Sequence, residues 1–434
     1  MERQGPREVY LNLGEKIDTL GTRAPRNETL HEILKVLYTP DEADLVARMP
    51  YGLSTLARIS RVTGRDEKTT RKLLESLAGK GLVIDIFAGG EYRYMPSPMV
   101  IGIFEFTMMR TRGELDYKTW GRLFHDYLDD EFFGANFGDG QVISLLRTIP
   151  HEGTVAGPVT EILDYEKASA IVDSHDTFAI GICSCRNEKK HTGTKECATP
   201  LDTCSTFGYA ADYWIRNKLA KKVSRTQMRE NIARSRELGL VFSGDNVKNN
   251  VTFICHCCKC CCNALAGIST YGYARAVTTS NYIASLEPGK CNGCGLCAKK
   301  CPVNAIEMRP AESAGSKRPM TPVIDESFCL GCGVCALTCR REAIKLHPRA
   351  QRVLHPENVF EKVILGALER NVLQFQIFDD PGSVTQALMR GFIGGFLRLP
   401  PVKRALMGER LRSRFLSAMK KGVAAQGKGW IAEM

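Results

Sequence analysis

The sequence predicts a multidomain α+β protein with helical segments at both ends and a cysteine-rich centre. At 434 residues the chain is long enough for two to four domains. Its N-terminal part carries helix-capping and hairpin patterns, its C-terminal part carries amphipathic helix patterns, and its 18 cysteines lie between residues 183 and 339. We therefore expect four domains, which span residues 1–96, 97–280, 281–347 and 348–434.

The first domain is predicted to contain short helices followed by a β-hairpin. Thr39-Pro40-x-Glu42 has the residues of a capping box with proline in the first helical turn, and Thr29-x-x-Glu32 has the same box. Further helices are predicted over Leu53–Arg61 and from Asp66 to the Gly79-Lys80-Gly81 stop, and a hairpin over Leu82–Met95. This order resembles a winged helix-turn-helix.

The winged-helix resemblance implies DNA recognition as one function, although the fold is also reused for protein contacts. Acidic Asp66, Glu67 and Glu75 dilute the positive charge of the candidate recognition helix. We therefore expect no nucleic-acid partner and keep DNA binding as an alternative. The residues that would contact DNA are Arg65, Lys68, Thr69, Thr70, Arg71 and Lys72.

Residues 97–175 give few functional signals. Apolar spacing predicts helices over Asp116–Phe133 and Glu166–Asp173. The acidic run at 126–131 is expected to be a solvated face rather than a metal or docking site.

The cysteine-rich middle is predicted to be an α/β domain with additional metal sites. Strands are predicted over Thr177–Ile182 and Val251–Ile254, and each leads directly into cysteines, so both sets of thiols are expected at one sheet edge. Helices are predicted over Gly208–Lys218 and Arg225–Glu237, the latter opened by a capping box at Ser224. The candidate ligands are Cys183, Cys185, Cys197, Cys204, Cys255, Cys257, Cys258, Cys260, Cys261 and Cys262.

Three kinds of site fit these ten thiols. One or two further [4Fe–4S] clusters are favoured because cysteine supplies soft thiolates, and a ligand set that includes Cys183, Cys185, Cys204 and Cys257 is expected. Zinc is an alternative because paired cysteines suit it equally. A dithiol redox site is another, since Cys257-x-x-Cys260 and Cys258-x-x-Cys261 have the spacing. His256 has no second matching histidine and is expected to be a bystander.

Two identical cysteine runs follow, Cys291-x-x-Cys294-x-x-Cys297-x-x-x-Cys301 and Cys329-x-x-Cys332-x-x-Cys335-x-x-x-Cys339. Three thiolates two residues apart can wrap one cluster while the fourth reaches the other, so the runs predict two [4Fe–4S] clusters. The first cluster is assigned to Cys291, Cys294, Cys297 and Cys339. The second is assigned to Cys329, Cys332, Cys335 and Cys301.

On these runs, residues 283–347 resemble a bacterial two-cluster ferredoxin domain, which implies a small pseudo-twofold unit of paired strands and short helices. Cys339 is followed by Arg340 where that family usually has proline. The connection from Glu307 to Val323 is also longer than a minimal ferredoxin needs. Neither departure removes a ligand, but both alter the surface beside the clusters.

The last domain is predicted to be a helical, basic extension. Helices are expected over Asn358–Arg370, Thr385–Leu397 and Val402–Lys421. The third is basic and amphipathic, so it either packs on the protein or lies on an anionic membrane surface. The formal net charge of +11 also suggests acidic partners.

The whole arrangement over residues 28–347 resembles a group of anaerobic bacterial iron–sulfur proteins with a winged-helix-like domain, a cysteine-rich middle and a two-cluster ferredoxin domain. The resemblance implies relay of single electrons to or from a partner oxidoreductase or flavoprotein. The alternatives are a redox-sensing DNA-binding regulator and a cluster-based reductase that acts on a substrate at Cys255–Cys262. No catalytic residue is predicted. Cysteine usage and the lack of an apolar leader favour a cytoplasmic location, with peripheral contact at the inner face of the membrane.

Overall fold

A computed structural model describes residues 6–110, 115–157, 162–311 and 319–433. It has the mixed helix and sheet of a multidomain protein, as predicted. The chain forms two compact units: Met1–Ile143, Tyr213–Leu219 and Asn358–Met434 make the first, and Ser144–Asp212 and Ala220–Glu357 make the second. The four domain boundaries predicted above remain a prediction.

The helices and strands are numbered in chain order. The helices are α1 Pro6–Asp18, α2 Glu28–Leu37, α3 Pro40–Arg48, α4 Leu56–Thr63, α5 Glu67–Lys80, α6 Phe104–Met109, α7 Tyr117–Tyr127, α8 Asp130–Phe137, α9 Ala168–Asp173, α10 Ser184–Thr192, α11 Gly208–Arg216, α12 Arg225–Glu237, α13 Asn263–Ser269, α14 Leu296–Lys300, α15 Val334–Thr338, α16 Val359–Glu369, α17 Leu373–Ile377, α18 Val384–Arg398, α19 Pro400–Met407 and α20 Glu409–Ala425. The strands are β1 Ser54–Thr55, β2 Val83–Ala88, β3 Glu91–Pro96, β4 Leu146–Ile149, β5 Phe178–Ile182, β6 Asp202–Phe207, β7 Ala220–Val223, β8 Val241–Asp245, β9 Phe253–Cys257, β10 Val277–Thr278, β11 Tyr282–Leu286, β12 Ile306–Pro310, β13 Met320–Ile324 and β14 Ile344–Pro348.

In the first unit, helices α2 to α5 precede a hairpin of β2 and β3, and β1 completes a three-stranded sheet. The Thr39 capping box is confirmed, because its hydroxyl accepts from the Glu42 amide and the Glu42 side chain accepts from the Thr39 amide. The Thr29 box is wrong. Helix α2 instead begins after Asn27, whose side chain accepts from the Leu30 amide.

The helix predicted over Asp116–Phe133 is wrong as a single element. Two helices, α7 and α8, form there, and Asp129 caps the second by accepting from the Phe132 amide. Asp130 and Glu131 then lie in the first turn of α8, where negative charge favours the helix dipole. The acidic run at 126–131 therefore contributes to a helix start.

The C-terminal helices are part of the first unit, and α16 and α20 share one apolar core there. Leu416 is buried with Phe360 and Leu365, and Phe415 and Met419 pack against the same core. The single helix predicted over Val402–Lys421 is wrong, because Gly408 is extended and separates α19 from α20.

An apolar row remains exposed on α18. Val384, Leu388 and Phe392 are 76%, 72% and 75% exposed, and Phe396 continues the row at four-residue spacing. Among the described residues, no helix is long and apolar enough to cross a membrane.

The second unit contains a seven-stranded sheet in the order β10-β4-β8-β9-β6-β5-β7. Strand β6 is antiparallel to both β5 and β9, so β5 and β9 run in the same direction and their carboxyl ends lie on the same side of the sheet. The two cysteine segments that follow these strands therefore start on one common side, as expected, with β6 between the two strands. The same unit carries two smaller two-stranded sheets, β11-β14 and β12-β13.

Candidate metal centres

Each of the two predicted cysteine quartets in the segment 291–339 lines one cavity. The first cavity is bordered by Cys291, Cys294, Cys297 and Cys339. The second is bordered by Cys301, Cys329, Cys332 and Cys335. The structure therefore brings Cys301 to the second run and Cys339 to the first, which is the exchange that the two runs predict.

The backbone around these cavities suits bound thiolates. The amides of Gly293, Ala305 and Ala343 donate to the Sγ atoms of Cys291, Cys301 and Cys339 at 3.4, 3.2 and 3.3 Å. Such N–H···S contacts stabilise negative charge on the sulfur of an iron–sulfur ligand. The residues present therefore fit two anionic clusters.

Gly333 shows why the loop of the second cysteine run requires glycine. Its φ of +84° lies in the left-handed region, and a Cβ there would collide with the Thr154 side chain. The same 151–156 segment holds the loop, because the His151 amide donates to the Cys332 carbonyl oxygen at 3.1 Å. The dicluster segment is thus joined by backbone hydrogen bonds to the segment that follows β4 of the large sheet.

Two arginines border the first cavity. Arg340, which stands in the place of the usual proline, and Arg341 both line it beside Cys339, and both are exposed. The cations can offset the negative charge of a thiolate-bound cluster without excluding water.

Six of the ten middle cysteines form one connected group. Cys255 and Cys257 lie on one face of β9 because they are two residues apart, and Cys204 on β6 is opposite Cys255 by continuation of the Ser205–Ile254 register. The remaining members lie at helix starts, since Cys183 precedes α10, Cys185 is in its first turn, and Cys262 precedes α13. We call Cys183, Cys185, Cys204, Cys255, Cys257 and Cys262 the six-thiol group.

Thiol hydrogen bonds connect the six-thiol group from end to end. Cys183 contacts Cys185, Cys185 contacts Cys262, Cys262 contacts Cys257, Cys257 contacts Cys255 and Cys255 contacts Cys204. The hydrogen bond with Cys185, followed by burial, raises the pKa of Cys183 well above its usual value. A metal would reverse this effect, because bound thiols are deprotonated.

Arg186 supplies a buried cation beside these thiols. Its guanidinium is fully buried and donates to the Thr203 hydroxyl at 2.5 Å and to the His256 carbonyl oxygen at 2.7 Å. Both acceptors are neutral. Burial opposes the charged form, yet the charges of Cys183 and Cys258 raise the pKa of Arg186 above its usual value. Thiolates held by a metal would balance the charge of this arginine.

His256 does not face the thiols. It alternates with Cys255 and Cys257 along β9, and its Nε2 lies 2.8 Å from the Ser205 hydroxyl. Burial lowers the pKa of His256 to about 3, so the ring is neutral. Its position agrees with the expectation that it is a bystander.

The other four middle cysteines form a separate and tighter group. Cys258, Cys260 and Cys261 lie on the turn after β9, and Cys197 comes from the loop after α10. All four Sγ atoms lie within 4.8 Å of one another. We call these residues the four-thiol group. A hydrogen bond from Cys261 is the main cause that lowers the pKa of Cys258 to about 5.

The sequence predicted the ten thiols but not their division into six and four. Strand β9 was expected to end at Ile254, whereas it continues to Cys257. This difference explains part of the division, because Cys255 and Cys257 lie on one face of the strand and belong to the six-thiol group, whereas Cys258, Cys260 and Cys261 lie on the following turn. The alternation in Cys255-His256-Cys257 was the signal available in the sequence.

An open cleft lies between the four-thiol group and the dicluster segment. It has a volume of about 850 Å³ and is bordered on one side by Cys197, Cys258 and Cys260. Pro302 and Val334, which adjoin cysteines of the second cavity, border the other side. Basic side chains are prominent in its lining, namely Arg236, Lys259, Lys299 and Lys300.

Comparison with known protein families gives one match. Residues 290–343 match the model of the 4Fe-4S dicluster domain, which covers both cysteine quartets. Comparisons of the chain with curated proteins and with solved structures give no significant match. The chain therefore carries a ferredoxin-like iron–sulfur segment.

Proposed function

We propose that this protein relays single electrons between a low-potential donor and a partner oxidoreductase or flavoprotein. The observation that carries the proposal is the division of eight cysteines between two cavities, one quartet to each. When bound, [4Fe–4S] clusters supply reversible one-electron transfer. The chain's own contribution is to fix the thiolates, to donate amide hydrogen bonds and to exclude water from one side.

The two cavities differ in exposure, which suits an ordered relay. Cys294 of the first quartet is exposed, whereas Cys329, Cys332 and Cys335 of the second are buried. A partner at the surface would exchange electrons through the first quartet. The buried quartet would then face the interior and the cleft that leads to the cysteine-rich middle.

The six-thiol group extends this proposal. Its cysteines include the four expected as ligands of a further cluster, Cys183, Cys185, Cys204 and Cys257, together with Cys255 and Cys262. Their spacing supports a cluster over a single ion, because no three of these six sulfurs all lie within 4.8 Å of one another among the described residues. The buried Arg186 would offset part of the cluster's negative charge.

Serine substitution of one ligand in each quartet tests the relay. Cys294→Ser is expected to abolish the electron paramagnetic resonance signal of one reduced cluster and to spare the other, and Cys332→Ser is expected to do the reverse. Ser327→Ala, which alters a nearby residue outside both quartets, is the control. Two intact signals in either cysteine variant would overturn the ligand assignment.

Peripheral membrane contact is proposed for a different surface than the sequence indicated. Leu416 of α20 is buried in the first unit with Phe415 and Met419 packed against the same core, whereas the apolar row of α18 is exposed. Residues 384–425 carry nine Lys or Arg residues against one Glu. An exposed apolar row beside a basic surface suits an anionic lipid bilayer.

A further inference from the structure

The four-thiol group has the dimensions of a site for one metal ion. The Sγ atom of Cys197 lies 3.8 Å from that of Cys258 and 3.8 Å from that of Cys261. The Sγ atom of Cys260 lies 4.0 Å from that of Cys258 and 3.5 Å from that of Cys261. For a metal–sulfur bond of about 2.3 Å, the edge of a regular tetrahedron of sulfurs is about 3.8 Å.

We propose that Cys197, Cys258, Cys260 and Cys261 bind a single tetrahedral divalent ion, zinc or ferrous iron, and do not ligate an iron–sulfur cluster. In a cubane each thiolate binds a different iron, so the thiolates stand farther apart than around one ion. This site is independent of the proposed electron relay, because it shares no thiol with the two quartets or with the six-thiol group.

The dicluster segment provides an internal comparison. Among its eight cysteines, all of which lie in described parts of the chain, no three sulfurs all lie within 4.8 Å of one another. The four-thiol group is the one set of cysteines within the described residues that meets this distance. The same structure thus separates the wide spacing of cluster ligands from the narrow spacing of a single-ion site.

The surroundings of the four thiols suit a closed, anionic site. Cys258 and Cys261 are buried with Leu240, while Cys197 and Cys260 are half-buried. Four thiolates around a divalent ion carry a net charge of about −2, and nearby cations can offset it. Arg186 acts on Cys258 through its charge, and Thr199 donates to Cys197 through both its hydroxyl and its backbone amide.

The ion would fasten a loop to the end of β9. Three ligands come from one turn, and the fourth, Cys197, lies 61 residues away from Cys258 in the chain. Cys197, Cys258 and Cys260 also border the cleft that faces the dicluster segment. The bound ion would therefore fix the cleft wall, and the open cleft gives the ion an entry path.

Metal and sulfide analysis of the full-length protein, purified without oxygen, tests the site. Cys260→Ser is the main variant because Cys260 is half-buried, and Cys197→Ser is the second in case the first fails to fold. Each is expected to lose about one zinc or one iron per chain with acid-labile sulfide unchanged. The control Cys294→Ser, in the dicluster segment, is expected to lose about four irons together with about four sulfides.

X-ray absorption at the edge of the metal that is lost identifies it as zinc or iron. At the zinc edge the expected spectrum has four sulfur neighbours at about 2.3 Å and no metal–metal scattering. At the iron edge the same is expected of the difference between the wild-type spectrum and that of Cys260→Ser, because cluster iron contributes to both. Loss of iron and sulfide together in Cys260→Ser would assign these thiols to a cluster and overturn the proposal. An unchanged metal content in both variants would also overturn it. If the ligand assignment behind the electron relay were wrong, Cys294→Ser would keep its iron and sulfide. The result for the four-thiol group would not be affected by that outcome.

Discussion

Arg186 and His256 are linked by a buried hydrogen bond of 2.7 Å from the guanidinium to the backbone carbonyl oxygen. The bond fixes a cation whose charge interacts with members of both groups of sulfurs, because Cys183 and Cys257 belong to the six-thiol group and Cys258 belongs to the four-thiol group. Buried charges require opposite charge nearby. A buried cation at this position suits thiolates that are held by a metal.

Replacement of this arginine should selectively deplete the metal of the six-thiol group. Arg186→Gln removes a buried cation and leaves polar groups without partners, which costs about 1–3 kcal/mol for each group. We expect the variant to lose metal from the six-thiol group while the signals of the two quartets persist. Iron analysis measures the metal content, and electron paramagnetic resonance measures the signals of the two quartets. The control is Arg229→Gln, which changes an exposed arginine in the same unit. Full metal content in Arg186→Gln would contradict the charge-balance argument.

The ligands of the two quartets and several helix starts could be predicted from the sequence, because they depend on local patterns. The quartets follow from local spacing, and capping boxes such as that of Ser224 depend on residues three apart. The six-thiol group depends on β6 lying between β5 and β9, which is a long-range pairing that local patterns do not contain. The exposure of α18 likewise follows from which helix packs on α16, and amphipathic patterns alone do not decide that.

Arg340, one of the two arginines beside the first cavity, should influence the reduction potential of the first cluster. Arg340 lines the cavity, and a cation there favours the more negative reduced state. Arg340→Gln is therefore expected to lower the reduction potential of the first cluster by roughly 20–40 mV, and the shift is small because water screens an exposed charge. The reduction potential of the second cluster should change little. Redox titration of the two signals measures the shift. Arg352→Gln removes an equally charged, exposed residue, and an equal shift in that variant would show that overall charge, not position, is responsible.

The apolar row of α18 should bind anionic vesicles weakly. Leu388→Gln combined with Phe392→Gln removes two largely exposed apolar side chains. We expect the double variant to lose most sedimentation with phosphatidylserine vesicles, and we expect wild-type binding to fall as salt screens the basic residues. Phe87→Gln, which changes an exposed aromatic residue on the hairpin, should bind as wild type does. Unchanged vesicle binding by the double variant would assign α18 to a different partner.

DNA binding is the main rival function, and the structure weakens its candidate surface. Arg65 is paired with Asp41 and Asp44 at 2.8 Å each, and Thr70 is buried. We therefore expect no shift of duplex DNA even at low salt. Salt-sensitive binding that disappears when Lys68, Arg71 and Lys72 are changed to Ala would favour the regulator instead, since phosphate contacts weaken steeply with salt.

Reductive coulometric titration of the anaerobic, full-length protein tests the electron relay most directly. Each [4Fe–4S] cluster takes up one electron, so the two quartets should accept about two electrons per chain at low potential, and a cluster in the six-thiol group should accept about one more. Stepwise reoxidation should return all of them. A protein that contains its iron and sulfide but accepts no electrons reversibly would contradict the proposed function.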